Sequence, residues 1–274
     1  MRVAMRRAAH QLADVPKVLD DTVALKILDP DVRERLQGGD GTGDDRLSRG
    51  LRAFMAVRSR FAEDELARAV GRGATQYVVL GAGLDTFAYR NPYGEDLLRV
   101  FEVDYPATQE WKRRQLAAAG IAIPASVTFA PVDFERQTLA DGLRAAGFDQ
   151  QKPTFFSWLG VSMYLTEDAI AGTLGFVAST PRGGGIVFDY AVPRESLGLM
   201  GRMALDALAR RVEQSGEPFR TFFEPGALTE RLMQLGFHAV ENLGKDEINA
   251  RYFKDRADGL RVLSSLGRLI SAEV

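Results

Sequence analysis

The chain has 274 residues, with 35 Lys and Arg against 37 Asp and Glu, a formal charge of −2, two histidines and no cysteine. That balance leaves no broad basic field to grip a phosphate backbone, so nucleic acid is not expected as a main partner, although a local basic patch stays open. Without cysteine there is no disulfide framework, thiolate nucleophile or Cys-ligated metal centre, and a cytoplasmic protein is the simplest expectation.

His10 and His238 are the only imidazoles and are far apart in sequence, so a multi-histidine metal site cannot be built and no metal is expected. A Ser-His-Asp triad would have to use one of them; His238 falls where a strand should begin and reads as structural or exposed rather than as a base. The uncharged stretch Pro153 to Thr166 is 14 residues long, too short to span a bilayer, so no membrane partner is expected. The basic amino-terminal stretch lacks an apolar run and reads as the first turns of a surface helix, with a transit peptide as the lesser alternative.

In chain order, residues 1 to about 70 read as helical, broken at Gly38 to Asp45, a Gly/Asp run that is a solvated connection or else a flap over a ligand pocket. The following helix, Arg46 to Val70, places Leu51, Phe54, Met55, Phe61, Leu66 and Val70 at helical spacing. From residue 76, short apolar runs alternate with helical segments, the pattern of a mainly parallel sheet covered on both faces. Strands are expected at Gln76–Leu80, Leu98–Val103, Val127–Pro131, Thr154–Trp158, Gly185–Tyr190, His238–Leu243 and Ala250–Phe253. Helices are expected at Pro106–Ala119, Leu139–Ala146, Thr166–Ala178 and Pro225–Leu235. An extra helical pattern at Arg194 to Gln214 is expected to cap the site. The chain then reads as one domain: a helical cap (1–70), a cofactor-binding core (71–190), a cap insertion (191–224) and a carboxy-terminal completion of the sheet (225–274).

The most informative segment is Leu80-Gly81-Ala82-Gly83-Leu84-Asp85-Thr86, a buried strand running into a glycine turn that lets backbone approach a ligand closely. Alone it is compatible with a mere tight turn. Asp104 closes the next strand 23 residues after Gly81, where a carboxylate can accept both hydroxyls of a ribose. Thr86 replaces the third small residue of a dinucleotide fingerprint, and no phosphate-cradling GxxxxGK[ST] loop is present. An adenosyl ligand without phosphates is favoured, S-adenosyl-L-methionine being the common one. Arg58 can pair with its carboxylate, Arg60 being the competing choice. Asp85 can serve its amino group or instead cap the next helix, and Asp133-Phe134 can serve its adenine.

These residues resemble the leucine carboxyl methyltransferase-like group of class I S-adenosylmethionine-dependent methyltransferases, which includes bacterial and polyketide O-methyltransferase relatives. The resemblance runs from about Arg49 over nearly the whole chain. It is carried by Ala56-Val57-Arg58-Ser59-Arg60, the glycine turn, Phe101-Glu102-Val103-Asp104-Tyr105-Pro106, Val132-Asp133-Phe134 and Trp158-Leu159-Gly160-Val161-Ser162-Met163-Tyr164-Leu165. It implies an α/β, Rossmann-like fold: a seven-stranded, mainly parallel sheet with one antiparallel strand, helices on both faces, amino-terminal helices and a helical cap. It also implies Arg58 on the methionyl carboxylate, Gly81 and Gly83 under the methionine portion, Asp104 on the ribose, and Asp133 and Phe134 beside the adenine, with Ala82, Asp85 and Tyr105 counted as further cofactor-binding candidates. Trp158 and Leu159 belong to the same site. Many relatives carry Glu where Leu159 stands, so a carboxylate contact from that position is lost here, leaving backbone carbonyls around Gly81 or Trp158.

The expected reaction is in-line methyl transfer to a carboxylate or hydroxyl oxygen of a small molecule, with S-adenosyl-L-homocysteine as co-product. A carboxylate acceptor needs no base near neutral pH, whereas a phenol or alcohol needs one. Tyr164, Asp189 and Tyr190 are candidates to line the acceptor side, Tyr164 equally for packing, and no catalytic base is assigned. A non-catalytic S-adenosylmethionine-binding protein and, behind it, an NAD(P)-dependent oxidoreductase are the competing readings. A hydrolase is weaker, since Gly160-Val161-Ser162-Met163-Tyr164 lacks the second glycine of a nucleophile elbow.

Overall fold

The computed structural model describes residues 1–40, 43, 45–133, 136–213 and 218–274. The basic amino-terminal stretch forms α1 (Arg2–Ala13), which buries Ala4, Ala8 and Ala9. At its end His10 Nε2 accepts the backbone N–H groups of Val18 and Leu19 at 3.0 and 3.3 Å, which leaves the ring proton on Nδ1, 2.8 Å from Asp14. Asp14 also takes a two-pronged bond from Arg52, at 2.8 and 2.9 Å, so this imidazole and carboxylate fasten the first helix to the third.

After α2 (Pro30–Gln37), α3 (Arg46–Gly71) is capped by Asp45, whose carboxylate accepts the N–H groups of Leu47 and Ser48. Of the Gly/Asp run, Gly41, Thr42 and Asp44 lie outside the described residues. Phe61 and Leu66 of the expected helical stripe are fully buried, but Leu51, Phe54 and Met55 are half-buried, because that part of α3 faces a cavity instead of the sheet.

The sheet contains β1 (Gln76–Leu80), β2 (Arg99–Asp104), β3 (Val127–Pro131), β4 (Thr154–Trp158), β5 (Gly185–Ala191), β6 (His238–Leu243) and β7 (Gly267–Glu273), in the order β3-β2-β1-β4-β5-β7-β6. Of these seven strands, β7 alone runs opposite to the others, antiparallel to β5 on one side and β6 on the other. The strand expected at Ala250–Phe253 is a correction: those residues close α9 (Lys245–Tyr252), and the last strand lies at Gly267–Glu273. The Glu247 carboxylate accepts the Gly244 N–H at 2.9 Å and so starts that helix. A four-residue stretch, here Ala250-Arg251-Tyr252-Phe253, is too short to be told from a helix end by periodicity.

The remaining helices are α4 (Pro106–Ala118), α5 (Leu139–Ala145), α6 (Glu167–Ala178), α7 (Leu199–Glu213) and α8 (Pro225–Gln234). The helical pattern expected from Arg194 starts later, because Arg194–Ser196 is a separate single 3-10 turn. Alternation along β1 sends Val78 and Leu80 into one core with α5, α6 and α8, and Tyr77 and Val79 into another with α3 and α9. A third core joins α1, α2 and α4 beside β3. Between β1 and β2 the chain makes only a 3-10 turn, Phe87–Tyr89, so no long helix follows the glycine turn.

Candidate functional site

Chain direction reverses its order of strand addition between β1 and β4, and at the carboxyl ends of these strands three depressions meet at Gly81. Gly81 has φ 66°, and a Cβ there would lie 2.6 Å from a Val161 methyl, so the turn closes only on glycine. Asp104 is drawn into it: its two carboxylate oxygens accept the N–H groups of Gly83 at 2.6 Å and Tyr105 at 2.7 Å. Each oxygen keeps acceptor capacity for a ligand hydroxyl.

On one side of Gly81 lies a cavity of about 310 Å3, lined by Arg58, Gly81, Ala82, Gly83, Asp85 and Leu159. Arg58 is buried and Nη1 donates to Asp189 at 2.9 Å, while the second Asp189 oxygen accepts the Gly160 N–H. The guanidinium lies so close to Gly160 that a Cβ there would come within 2.8 Å of it. Arg60, the competing arginine, is exposed and pairs with Asp64 on the surface. Leu159 presents an apolar side chain in this cavity, so the carboxylates that reach it come from elsewhere.

One is Asp85, whose Oδ1 caps the 3-10 turn through Phe87 N–H at 2.9 Å and whose Oδ2 accepts Arg7 Nη1 at 3.2 Å. Burial pushes its carboxyl up, but Arg7, Lys112 and Arg90 outweigh that and hold it below the usual range, so it is an anion at neutral pH. Arg7 also donates to the Leu84 carbonyl at 2.6 Å, which brings α1 against the glycine turn. No sequence pattern singles out Arg7: it sits in a basic amphipathic run, and its hydrogen-bond partners at the glycine turn, Leu84 and Asp85, are more than 70 residues away.

On the other side of Gly81 is a larger cavity of about 880 Å3, where Asp104, Tyr105, Asp133 and Trp158 converge. Trp158 is buried, Tyr105 is exposed, and Asp133 lies 3.4 Å from Arg136. Phe134 lies outside the described residues. Between the two cavities a shallower recess of about 360 Å3 joins Asp104 to Gly160 and Tyr164. The ensemble offers a fork of donors and a carboxylate for an amino-acid end, a carboxylate for a diol, and an indole-lined space for a flat ring, which fits an adenosyl amino acid.

Behind Arg58 and Gly160 a separate cavity of about 260 Å3 opens, with apolar walls that include Phe54, Met55, Met163, Phe219 and Leu263. Tyr164, Asp189 and Tyr190 all line it. Tyr164 packs its ring on Phe219 with centroids 5.4 Å apart, and Tyr190 spends its hydroxyl on Asn242 at 2.9 Å. Burial raises the Tyr190 phenol further, so it is no base at neutral pH. Asp189, the carboxylate of this wall, is already bonded to Arg58 and Gly160. Arg2 and Arg6 of α1 and Ser264 add to the polar lining.

His238, by contrast, is exposed and 4.0 Å from Glu273 at the sheet edge, away from these cavities. Among the described residues no cluster of three or more His, Cys, Asp or Glu is placed to hold a metal ion, and no helix is long and apolar enough to cross a membrane.

A family profile described as "Leucine carboxyl methyltransferase" matches residues 1–178. "Putative S-adenosyl-L-methionine-dependent methyltransferase YktD" of Bacillus subtilis (strain 168) is 32% identical over 288 residues, spanning 96% of this chain and 93% of that protein. Among solved structures, a "putative methyltransferase" from Thermobifida fusca YX aligns over 82% of each chain with a TM-score of 0.57 and 17% identity. Magnesium protoporphyrin IX methyltransferase from Synechocystis PCC 6803, with bound SAH, aligns over 88% of this chain and 91% of its own, with a TM-score of 0.51 and 13% identity. At such identities the two structures speak for the fold.

Proposed function

This chain belongs to the leucine carboxyl methyltransferase family and is an S-adenosyl-L-methionine-dependent methyltransferase, and on that premise we propose that it methylates a carboxylate oxygen of a small, largely apolar acid. The observation that carries the reading is the wall chemistry of the 260 Å3 cavity: apolar side chains, arginines, no imidazole, and a carboxylate already committed to Arg58 and Gly160. Among the described residues an acceptor that must lose a proton finds no uncommitted carboxylate or imidazole there, while an acid is ionised before it binds.

When bound, S-adenosyl-L-methionine supplies a methyl group on a positively charged sulfur, whose carbon–sulfur bond breaks, with its electrons returning to sulfur, as the oxygen–carbon bond forms. Arg58 is assigned to its carboxylate, Asp85 to its ammonium in place of the acid that Leu159 does not provide, and Asp104 to the ribose hydroxyls. Gly81, Ala82 and Gly83 let the backbone approach the methionine portion, and Tyr105, Asp133 and Trp158 surround the adenine. Tyr164 and Tyr190 shape the acceptor cavity, with Asp189 holding Arg58 in place between the two ligands. Orientation and exclusion of water are then what the protein contributes.

The test is transfer of labelled methyl from S-adenosyl-L-methionine to a panel of apolar acids, phenols and alcohols. The expected product is an ester that releases labelled methanol in mild alkali, formed at a rate that stays level as pH rises above neutrality. A label that resists alkali, with a rate climbing with pH, would replace the carboxylate by a hydroxyl acceptor.

A further inference from the structure

We propose that the hydroxyl of Ser59 is a cofactor-binding group that accepts a hydrogen bond from the primary ammonium of the methionine end. The inference rests on the placement of that end in the cavity of about 310 Å3, proposed above. Ser59 borders this cavity next to Arg58 on α3 and is only 5% exposed. A serine inside a helix can turn its hydroxyl back onto the carbonyl four residues earlier. Ser59 makes no such bond to Met55, and its hydroxyl bonds no other described residue.

The other polar side chains described around this cavity are engaged. Arg7 donates to the Leu84 carbonyl and to Asp85, and Arg58 donates to Asp189. Asp85 accepts the Phe87 N–H with one oxygen and Arg7 with the other. Ser157, also buried, accepts the Tyr77 hydroxyl at 2.7 Å. A buried hydroxyl without a partner is unfavourable, and a ligand that supplies one recovers the loss.

Counting donors and acceptors decides which group of the ligand Ser59 meets. Arg7, Arg58 and Asp85 are the charged side chains described in the lining, so donors are in surplus before anything binds. A ligand carboxylate finds the guanidinium fork of Arg58. A ligand ammonium brings three further donors, to which the apolar Leu159 side chain offers nothing, while the Ser59 oxygen has lone pairs to accept them. Two consecutive residues of α3 thus present a donor fork and an acceptor to the same cavity, matching the carboxylate and ammonium that share one carbon of the cofactor. The site would then select an adenosyl thioether that carries the amine over one that lacks it.

The test is calorimetric titration of the full chain and its Ser59→Ala variant with S-adenosyl-L-homocysteine and two analogues of it. One analogue has hydrogen in place of the α-amino group, the other hydrogen in place of the α-carboxylate. Ser59→Ala should weaken the co-product and the carboxylate-free analogue about tenfold each, and bind the amine-free analogue as tightly as the wild type does. Equal co-product affinity in the two proteins overturns the proposal. A loss that persists with the amine-free analogue overturns it as well, since the change then acts on the carboxylate or on packing. If the wild type binds the carboxylate-free analogue as tightly as the co-product, the assignment of Arg58 falls instead, and the amine-free analogue still decides Ser59. No methyl acceptor enters these titrations, so their outcome is independent of which oxygen is methylated.

Discussion

The two cavities either side of Arg58 are built by different means. The side proposed for the cofactor is made from backbone turns and short side chains at the ends of adjacent strands, with Gly81, Gly83 and Asp104 brought together by β1 and β2 pairing in register. The side proposed for the acceptor is assembled from α1, α3, β5 and segments near residues 163, 219 and 263, which supply mostly apolar side chains. A wall made of backbone tolerates almost no substitution, whereas a wall made of side chains can be recut without disturbing its neighbours. Arg58 and Asp189 form the seam, and changes there should therefore affect both sides.

The largest expected effect is at that seam. Arg58→Ala strands the buried Asp189 carboxylate and should cost about 3–5 kcal/mol of stability as well as cofactor affinity. Urea unfolding measures the first, and the Asp189→Asn change added to it should recover part of the loss; a loss below about 1 kcal/mol would show that the pair does not join the two sides.

Next comes Asp14, whose carboxyl burial would raise but the His10 and Arg52 bonds hold down at about 2. A depressed folded-state value stabilises fully above the unfolded carboxyl range, about pH 4, and the contribution disappears as pH falls through the folded value. Asp14→Asn should cost about 3 kcal/mol at neutral pH and flatten the acid limb of the stability curve. An unchanged acid limb would place that sensitivity in another group.

Asp104→Ala should weaken S-adenosyl-L-homocysteine binding about 100-fold by calorimetry, the loss of two charge-assisted bonds, with circular dichroism unchanged. On the other side, Phe54→Ala should leave that affinity intact and shift preference between short and bulky apolar acids by about tenfold. If Phe54→Ala weakens the co-product instead, the two cavities are not independent. The smallest effect belongs to His238→Ala, expected to stay within about 0.5 kcal/mol of wild-type stability.

The difference in construction explains what could be read in advance. Gly81 and Asp104 were legible because a positive-φ turn and a strand-ending carboxylate leave marks at short spacing. Arg58 was legible by resemblance, but its partner was not, since Asp189 is 131 positions away and meets it only through the sheet. Arg7 left no mark for the same reason. Leu51, Phe54 and Met55 carried the right helical period, yet periodicity cannot tell a cavity wall from a core. The last strand lies away from its expected place because Tyr252-Phe253 carries the paired aromatics common in strands, while the Glu247 cap and the packing of Ile248 make that segment helical.

The position of α1 has a practical corollary. Its first turns line the cavity proposed for the cofactor through Val3, Ala4 and Arg7 and the one proposed for the acceptor through Arg2, Val3 and Arg6. Trimming the amino end to tidy an expression plasmid would thus be a double lesion, and a library that varies only those few codons would explore both ligands' surroundings at once.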